Sequence, residues 1–156
     1  MYDDEIEFGA LSINDLDWFI NLRNSVRFFL HNSNWFTLED TKRWFEAGCN
    51  GNQYFIVFFR GNRAGYVRLN NTESSETYLG LDLDEKFRGI GLSKYIYAQF
   101  VRKYYPSVIT DTIRLRVLRS NQRAYNLYIK LGFKVIEVSD TDFCMEIKAY
   151  DILNIK

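Results

Sequence analysis

Apolar residues follow two different spacings along the chain, and blocks of one spacing alternate with blocks of the other. Alternation with polar residues predicts seven β-strands, over residues 5–11, 53–60, 64–70, 77–83, 113–118, 133–138 and 143–149. Helical spacing predicts four α-helices, which begin at about Asn14, run from Thr37 to about Cys49, cover residues 91–104, and run from Asn121 to about Leu131. The order β-α-α-β-β-β-α-β-α-β-β predicts an α/β fold, a mixed central sheet of about seven strands flanked by four helices.

Short polar and glycine signals mark the ends of several of these elements. Asn14 is predicted to cap the first helix, with acidic residues in the turn that follows. Thr37 and Asp40 resemble a capping box at the start of the second helix. Gly61-Asn62 predicts a tight hairpin turn between the second and third strands, and Gly132 predicts a left-handed stop for the last helix.

The composition limits the kind of protein and the kind of partner. The 156 residues are predicted to form one domain, residues 1–156, because no linker rich in Pro, Ser or Gly divides them. Twenty basic and twenty acidic side chains cancel, which favours a small-molecule partner over a nucleic acid or a membrane surface. Cys49 and Cys144 lie far apart, without other ligands at metal spacing, so no metal is expected. The start of the sequence is unlike a signal peptide, and together with these two cysteines it favours a cytoplasmic protein. We expect a monomer or a homodimer.

A glycine-containing junction joins the fourth predicted strand to the helix after it. Its sequence is Phe87-Arg88-Gly89-Ile90-Gly91-Leu92-Ser93-Lys94. The free amides of the helix that follows, and the positive end of its dipole, favour an anion in this turn. Ordinary connections between a strand and a helix carry similar glycines, so the turn alone leaves both interpretations open. It lacks the spacing of a P-loop and the three glycines of the dinucleotide motif.

Two local patterns gain weight when they are considered together with the order of elements. The first is Arg88-Gly89-Ile90-Gly91-Leu92-Ser93, and the second is Leu115-x-Val117 followed by Asn121-x-x-Ala124-x-x-x-Tyr128-x-x-x-Gly132-Phe133. They resemble, respectively, the acetyl-CoA loop Gln/Arg-x-x-Gly-x-Gly/Ala and a later strand-helix-strand segment of the GNAT superfamily of N-acetyltransferases. Only Ser93 departs from the pattern, where Gly or Ala is usual. The resemblance covers the whole chain, most firmly residues 76–136, and implies an enzyme that uses acetyl-CoA as co-substrate.

The resemblance also assigns a coenzyme site. It implies that the pyrophosphate is held by the turn formed by Arg88, Gly89, Ile90, Gly91, Leu92, Ser93 and Lys94. It implies that the backbone of Leu81, Asp82 and Leu83 pairs with the pantetheine arm, in a gap where the strands at 77–83 and 113–118 splay apart. Asn121, at the mouth of this gap, is expected to hydrogen-bond the arm, to cap the helix, or to do both.

The chemistry of acetyl transfer requires an acid for the departing thiolate, a donor for the developing oxyanion, and a neutral amine. The resemblance assigns the acid to Tyr128, and it implies an oxyanion donor at a backbone N–H near Leu83, in a distorted strand. The proton acceptor is left open between Glu76, Asp82, His31 and a chain of waters. Each of the three side chains also has a structural interpretation.

The acceptor site is expected in the region between the first two helices, residues 22–36, and in the last hairpin. This region is similar to the branch that acetylates nucleotide-linked amino sugars, and also to the branch that acetylates protein N-termini. Arg23 and Arg27 are candidates for a diphosphate, Trp35 for stacking, and His31 and Arg68 for other contacts with the acceptor. The arginines could equally pair with acidic neighbours. A non-catalytic acyl-CoA-binding module is the alternative outside enzymes.

Overall fold

The computed structural model describes residues 2–71 and 76–155. Within these residues, seven strands and four α-helices follow one another in the predicted order, and a fifth helix comes after the last strand. The elements are β1 (Ile6–Ala10), α1 (Leu16–Ser25), α2 (Leu38–Glu46), β2 (Gln53–Phe59), β3 (Asn62–Asn71), β4 (Glu76–Leu83), α3 (Leu92–Tyr104), β5 (Thr112–Leu118), α4 (Gln122–Leu131), β6 (Lys134–Val138), β7 (Asp142–Lys148) and α5 (Ala149–Leu153). The predicted α/β fold with a seven-stranded mixed sheet is thereby confirmed, and α5 is the addition.

The ends of the helices follow from local chemistry. The capping box at Thr37 is confirmed, since its hydroxyl accepts from the amide of Asp40 at 3.1 Å. The cap predicted at Asn14 is wrong. Asp15 is the residue that precedes α1, and Ser12 caps the short 3₁₀ turn Ile13–Asp15 that leads into it, where the amide and the hydroxyl of Ser12 both donate to the carboxylate of Asp15 at 2.9 Å. The last predicted stop is confirmed by Gly132, which has a φ of 104°.

The sheet has the strand order β1-β2-β3-β4-β5-β7-β6. Every neighbouring pair is antiparallel except β4 and β5, which are parallel and are joined through α3. This parallel pair is registered only between residues 76–78 and 112–114. Beyond that short contact the two strands diverge, so the predicted splay between them is present.

Two hydrophobic cores lie on opposite faces of the sheet. The larger core packs α3, α4 and α5 against apolar residues of the central strands, and Phe100, Ile113 and Met145 are fully buried in it. The smaller core packs α1 against Ile56 and Tyr66 of the sheet. Four aromatic residues of this core, Phe19, Trp44, Tyr54 and Tyr66, are in mutual ring contact. The candidate site lies on this face of the sheet and is lined by these rings.

Candidate active site

A cavity of about 540 Å³ opens beside the diverging strands, between the sheet and the α1–α2 side of the molecule. Gly80, Leu81 and Asp82 of β4 line it, together with Val117 of β5 and Tyr128 of α4. The cavity therefore reaches the gap in which the resemblance places the pantetheine arm. Cavities of this size are typical of sites for small molecules.

The floor of the cavity consists of two rows of side chains that cross three strands. Strand register places Tyr54 beside Arg68 and Arg68 beside Gly80. It places Tyr66 directly beside Asp82 in the next row. Side chains two residues apart on a strand share a face, so both rows face α1 and α2.

Asp82 is the carboxylate at the centre of this floor. Burial raises its pKa above the ordinary value of 3.8, although a hydrogen bond from Tyr66 and the positive charges of Arg68, Arg88 and Arg23 act in the opposite direction. The same burial raises the pKa of Tyr66 well above its usual range, so its hydroxyl stays a donor to the carboxylate. A carboxylate with a raised pKa that lines a cavity is a candidate proton acceptor.

Arg68 lies across Gly80 with its guanidinium exposed to the cavity. A Cβ at Gly80 would come within 3.3 Å of Arg68 Nη2, so the glycine leaves room for the planar group to lie flat. Tyr54 lies beside Arg68 on the neighbouring strand. No carboxylate among residues 2–71 and 76–155 forms a salt bridge with Arg68. The cation therefore lies between Tyr54 and Gly80 and has capacity for an anion.

Tyr128 reaches the cavity from α4. It is 8% exposed, and Tyr97 of α3 donates a hydrogen bond to its hydroxyl at 3.2 Å. Burial raises the pKa of Tyr128, and the charge of Asp82 adds to this, whereas the hydrogen bond from Tyr97 lowers it. The hydroxyl therefore carries its proton at neutral pH. Tyr97 has no counterpart among the predicted site residues, because at helical spacing it is indistinguishable from a core residue.

Asn121 caps α4 and lines the cavity. Its Oδ1 accepts from the amide of Ala124 at 3.3 Å, which makes it the cap of α4. It also lines the cavity. The cap uses the oxygen, so the side-chain NH₂ is the group that can reach a bound molecule.

Two left-handed glycines shape the turn between β4 and α3. Gly89 and Gly91 have φ values of 77° and 76°, and Gly91 is the residue that caps the helix. Left-handed residues of this kind are typical of turns whose backbone amides bind anions. Arg88 adds positive charge, and its Nε donates to the carbonyl of Leu83 at 2.9 Å. β4 and β3 stay in register as far as Leu83, where a distorted strand is expected, and the irregularity lies in β2 between Val57 and Phe58.

Three of the predicted catalytic and acceptor-binding residues lie outside the cavity, and so do Leu83 and the turn at residues 88–94. Glu76 is at the closed end of the β4–β5 pair, where its carboxylate accepts from Arg114 at 2.7 Å, so it is not placed to act on an amine bound in the cavity. Arg27 packs against the ring of Phe28 at 4.3 Å and lies 5.2 Å from the ring of Trp35, which is 65% exposed. This cluster belongs to the outer surface of the α1–α2 connection.

Two other predicted residues line the cavity but are already engaged. The guanidinium of Arg23 donates to the carbonyls of Asn32 and Asn34 and lies 4.2 Å from the ring of Phe36. It holds the connection between α1 and α2. The sequence made Arg23 a candidate for binding a diphosphate, but its guanidinium is not free for that role. His31 forms a 2.9 Å hydrogen bond with Asp142, a residue that sequence reasoning did not single out.

The described residues exclude some other kinds of site. No three His, Cys, Asp or Glu side chains among them lie close enough to share a metal ion. Cys49 and Cys144 are buried free thiols. None of the described helices has both the length and the apolar character that a membrane crossing needs.

Comparison with known proteins relates this geometry to one group of enzymes. Residues 17–133 match the model of the acetyltransferase (GNAT) family, and no curated protein sequence matches the chain. The spermidine N-acetyltransferase from Vibrio cholerae, solved with CoA and spermine, is similar in fold, with 18% identity, 97% of this chain and 99% of that chain covered, and a TM-score of 0.82. The apo form of FdhC, a nucleotide-linked sugar GNAT, is 16% identical, with 95% of this chain and 89% of that chain covered and a TM-score of 0.79. A domain from Methanocaldococcus jannaschii is 18% identical, with 92% of this chain and 98% of that chain covered and a TM-score of 0.79.

Proposed function

Because the chain belongs to the acetyltransferase (GNAT) family and is an acyl-CoA-dependent N-acetyltransferase, we propose that its acceptor is the primary amine of a nucleotide-linked amino sugar. The observation that carries this proposal is Arg68, an exposed cation on the cavity floor that forms no salt bridge in the described structure, although its charge acts on the neighbouring Asp82. Such a cation favours an acceptor that brings its own negative charge. The phosphates of a nucleotide-linked sugar supply that charge.

The donor site fits the residues present. Strands β4 and β5 leave their backbone unpaired with each other beyond Tyr78 and Arg114, which provides edges for an extended arm. The amides of residues 88–94 lie at the start of α3, where they favour a pyrophosphate. When bound there, acetyl-CoA supplies the thioester whose carbonyl carbon the amine attacks.

Asp82 and Tyr128 handle the protons in the proposed reaction. The acceptor enters as an ammonium, and Asp82 takes one proton from it so that the nitrogen carries a free electron pair. The C–N bond forms as the C–S bond breaks, and Tyr128 gives its phenolic proton to the departing sulfur. Tyr128 regains a proton from the same nitrogen, which leaves the neutral amide, the thiol and one proton on Asp82.

The charges of the cavity argue against a polyamine acceptor. Spermidine carries several positive charges. The cavity is lined by three arginines and by two carboxylates, which are Arg23, Arg68, Arg116, Asp40 and Asp82. Asp40 is itself paired with Arg43 at 2.6 Å. A polycation would therefore meet more like charge than opposite charge, which costs binding free energy. The aromatic wall beside α1 suits a sugar or base, because rings bind the apolar faces of both.

Acetyl-CoA is expected to raise the melting temperature of the wild-type chain by about 5–10 °C at 100 times its Kd. Gly89→Ala should abolish most of this shift, because a side chain at a φ of 77° strains the turn that aims the amides. Differential scanning fluorimetry with a coenzyme titration measures both values.

The matched control for Gly89 is Gly61→Ala. Gly61 has a φ of 80° and, like Gly89, has open space within 4 Å of the position that a Cβ would take, but it lies in the β2–β3 turn. Both variants should lose similar intrinsic stability, and only Gly89→Ala should lose the coenzyme shift. An unchanged shift in Gly89→Ala would place the pyrophosphate elsewhere.

A panel of amines with detection of the free thiol tests the proposed acceptor. Nucleotide-linked amino sugars should be turned over with higher kcat/KM than spermidine or peptides. Arg68→Gln should raise KM for the nucleotide-linked substrate about 10- to 100-fold, as expected for the loss of a charge-assisted hydrogen bond, with little change in KM for acetyl-CoA. Arg68→Lys should fall between the two, because it keeps the charge and loses the planar fork.

The control for this substitution is Arg123→Gln, since Arg123 is exposed on α4 and does not line the cavity. It should leave all kinetic constants near those of the wild type. Preference for peptides would instead assign the chain to the acetylation of N-termini. Coenzyme binding without thiol release on any amine would identify a binding module.

A further inference from the structure

The connection between α1 and α2, residues 26–37, forms one wall of the cavity and is fixed firmly on its α1 side. Arg23 donates to two of its carbonyls, those of Asn32 and Asn34. Asn24 makes a pair of bonds with Phe36, donating to its carbonyl at 2.8 Å and accepting from its amide at 3.1 Å. We call residues 26–37 the connector. On this side it is effectively part of helix α1.

On its other side, among the described residues, one side-chain hydrogen bond ties the connector to β7. Nε2 of His31 lies 2.9 Å from Oδ2 of Asp142, the first residue of β7, which is 111 residues away in sequence. His31 lines the cavity with a side chain that is 47% exposed, while the side chain of Asp142 is 11% exposed. Among the side-chain hydrogen bonds of residues 26–37 within the described chain, this is the one that reaches the β6–β7 hairpin.

Asp142 is held in one orientation by its own hairpin. The hydroxyls of Ser139 and Thr141 both donate to Oδ1, the latter at 3.2 Å. The second oxygen, Oδ2, is thereby left for His31. The bonds from Ser139 and His31 also hold the pKa of Asp142 below its ordinary value, so the carboxylate is ionised at neutral pH.

We propose that His31 and Asp142 are positioning residues, which latch the connector to the β6–β7 hairpin and thereby hold one wall of the acceptor site in place. The proposal rests on the acceptor site described under the proposed function. The connector is fixed to α1 on one side and tied to the hairpin by this half-exposed hydrogen bond on the other, which holds it in place beside a bound acceptor. Loss of the His31–Asp142 bond weakens binding of the acceptor and leaves the coenzyme site and the chemistry intact.

Kinetics of latch variants test this role. Asp142→Ala and His31→Ala each remove the bond, and each should raise KM for the best amine of the panel about tenfold, as expected for one partly exposed charge-assisted hydrogen bond. In both variants kcat should stay within about twofold of the wild type, and so should KM for acetyl-CoA. The double variant should be no worse than either single one, since the two residues act through one contact.

Asp142→Asn separates a latch from a pair that transfers protons. The hydroxyls of Ser139 and Thr141 keep the amide oxygen on their side, so the amide NH₂ faces His31. Nε2 can then accept this bond in the tautomer that carries the proton on Nδ1. A latch survives this exchange, and KM should stay within about threefold. A pair that takes the acceptor's proton on Nδ1 would lose about 10²-fold or more in kcat, and that result would overturn the proposal.

Hydrogen exchange provides a measurement that does not depend on the acceptor. In the coenzyme-free chain, Asp142→Ala and His31→Ala should increase amide exchange over residues 28–36, whereas Asp140→Ala in the same hairpin should not. Unchanged exchange in both latch variants would overturn the proposal even if the panel identified the expected substrate. Increased exchange together with activity on a different amine would keep the latch and refute the proposed acceptor.

Discussion

Tyr128→Phe is expected to lower kcat by about 10² to 10⁴ and to leave the affinity for acetyl-CoA unchanged. Phenylalanine keeps the ring that packs against Tyr97 and Phe133 and removes only the hydroxyl. The pKa of Tyr128 is raised by burial, so the wild-type residue holds a proton that a thiolate can take. Single-turnover release of the free thiol, at saturating acetyl-CoA and acceptor, measures the change.

Tyr97→Phe is the matched control for this prediction. It removes the hydrogen bond donated to the Tyr128 hydroxyl at 3.2 Å and leaves that hydroxyl in place. The loss of one neutral hydrogen bond should cost less than about tenfold in kcat. If Tyr128→Phe cost no more than Tyr97→Phe, Tyr128 would be a packing residue, and the sulfur would have to receive its proton from another donor.

Most strands and helices could be predicted because the periodic pattern of apolar residues extends over the whole element. Strand β5 and helix α4 are clear cases, since alternation and helical spacing each persist over the whole element. Helix α5 was beyond this reasoning, because its five residues span little more than one turn. The cap was predicted at Asn14 because the sequence alone does not show the contacts of Asp15. In the structure the carboxylate of Asp15 accepts from Ser12 and also binds Arg63 at 2.9 Å.

Some residues of the candidate site could be predicted from short motifs, and others depend on contacts between distant parts of the chain. The candidate coenzyme turn and Tyr128 belong to contiguous motifs, so their positions follow once the strand and the helix are known. The bond between His31 and Asp142 joins residues 111 positions apart, and no local pattern specifies it. Glu76 illustrates a different limit, since its strand is predictable and its position along that strand decides its role. Only the register of β4 with β5 shows that Glu76 lies where the strands are still paired.

Register is a third limit on what could be predicted. The predicted bounds of the third and fourth strands, 64–70 and 77–83, pair Asn70 with Thr77 and thereby Tyr66 with Leu81. The structure pairs Tyr66 with Asp82, one residue further along β4, so the neighbours on the cavity floor could not be obtained by counting residues. A bulge between Val57 and Phe58 shifts the count by one residue in β2, so the row of Tyr54 could not have been obtained in this way.

Asp82→Asn is expected to lower kcat/KM by about 10² to 10⁴ and, at the same time, to raise the melting temperature at pH 7. The gain in stability follows from the pKa of Asp82, which burial raises above 3.8. A raised pKa in the folded chain means that folding favours the protonated carboxyl. Its contribution is fully present below pH 3.8 and is lost as the pH rises through the folded pKa. Asparagine keeps the acceptor for Tyr66 and removes the buried charge.

The sign of this effect is testable over a pH series. The melting temperatures of wild type and Asp82→Asn should coincide below pH 3.8 and separate above the raised pKa, by about 2–4 °C for each kcal/mol of relieved burial. In the wild type, the acid side of the pH profile of kcat/KM should report the same group, because only the ionised carboxylate accepts a proton.

Glu76→Gln is the matched control, since Glu76 is the alternative proton acceptor on the same strand. Its carboxylate is bound to Arg114 and lies outside the cavity, so this variant should keep kcat/KM within about threefold and should not melt higher than the wild type. A stable but fully active Asp82→Asn would mean that water or another group accepts the proton. An active site in which one substitution removes catalysis and adds stability is one where the fold tolerates a buried charge because the reaction needs it.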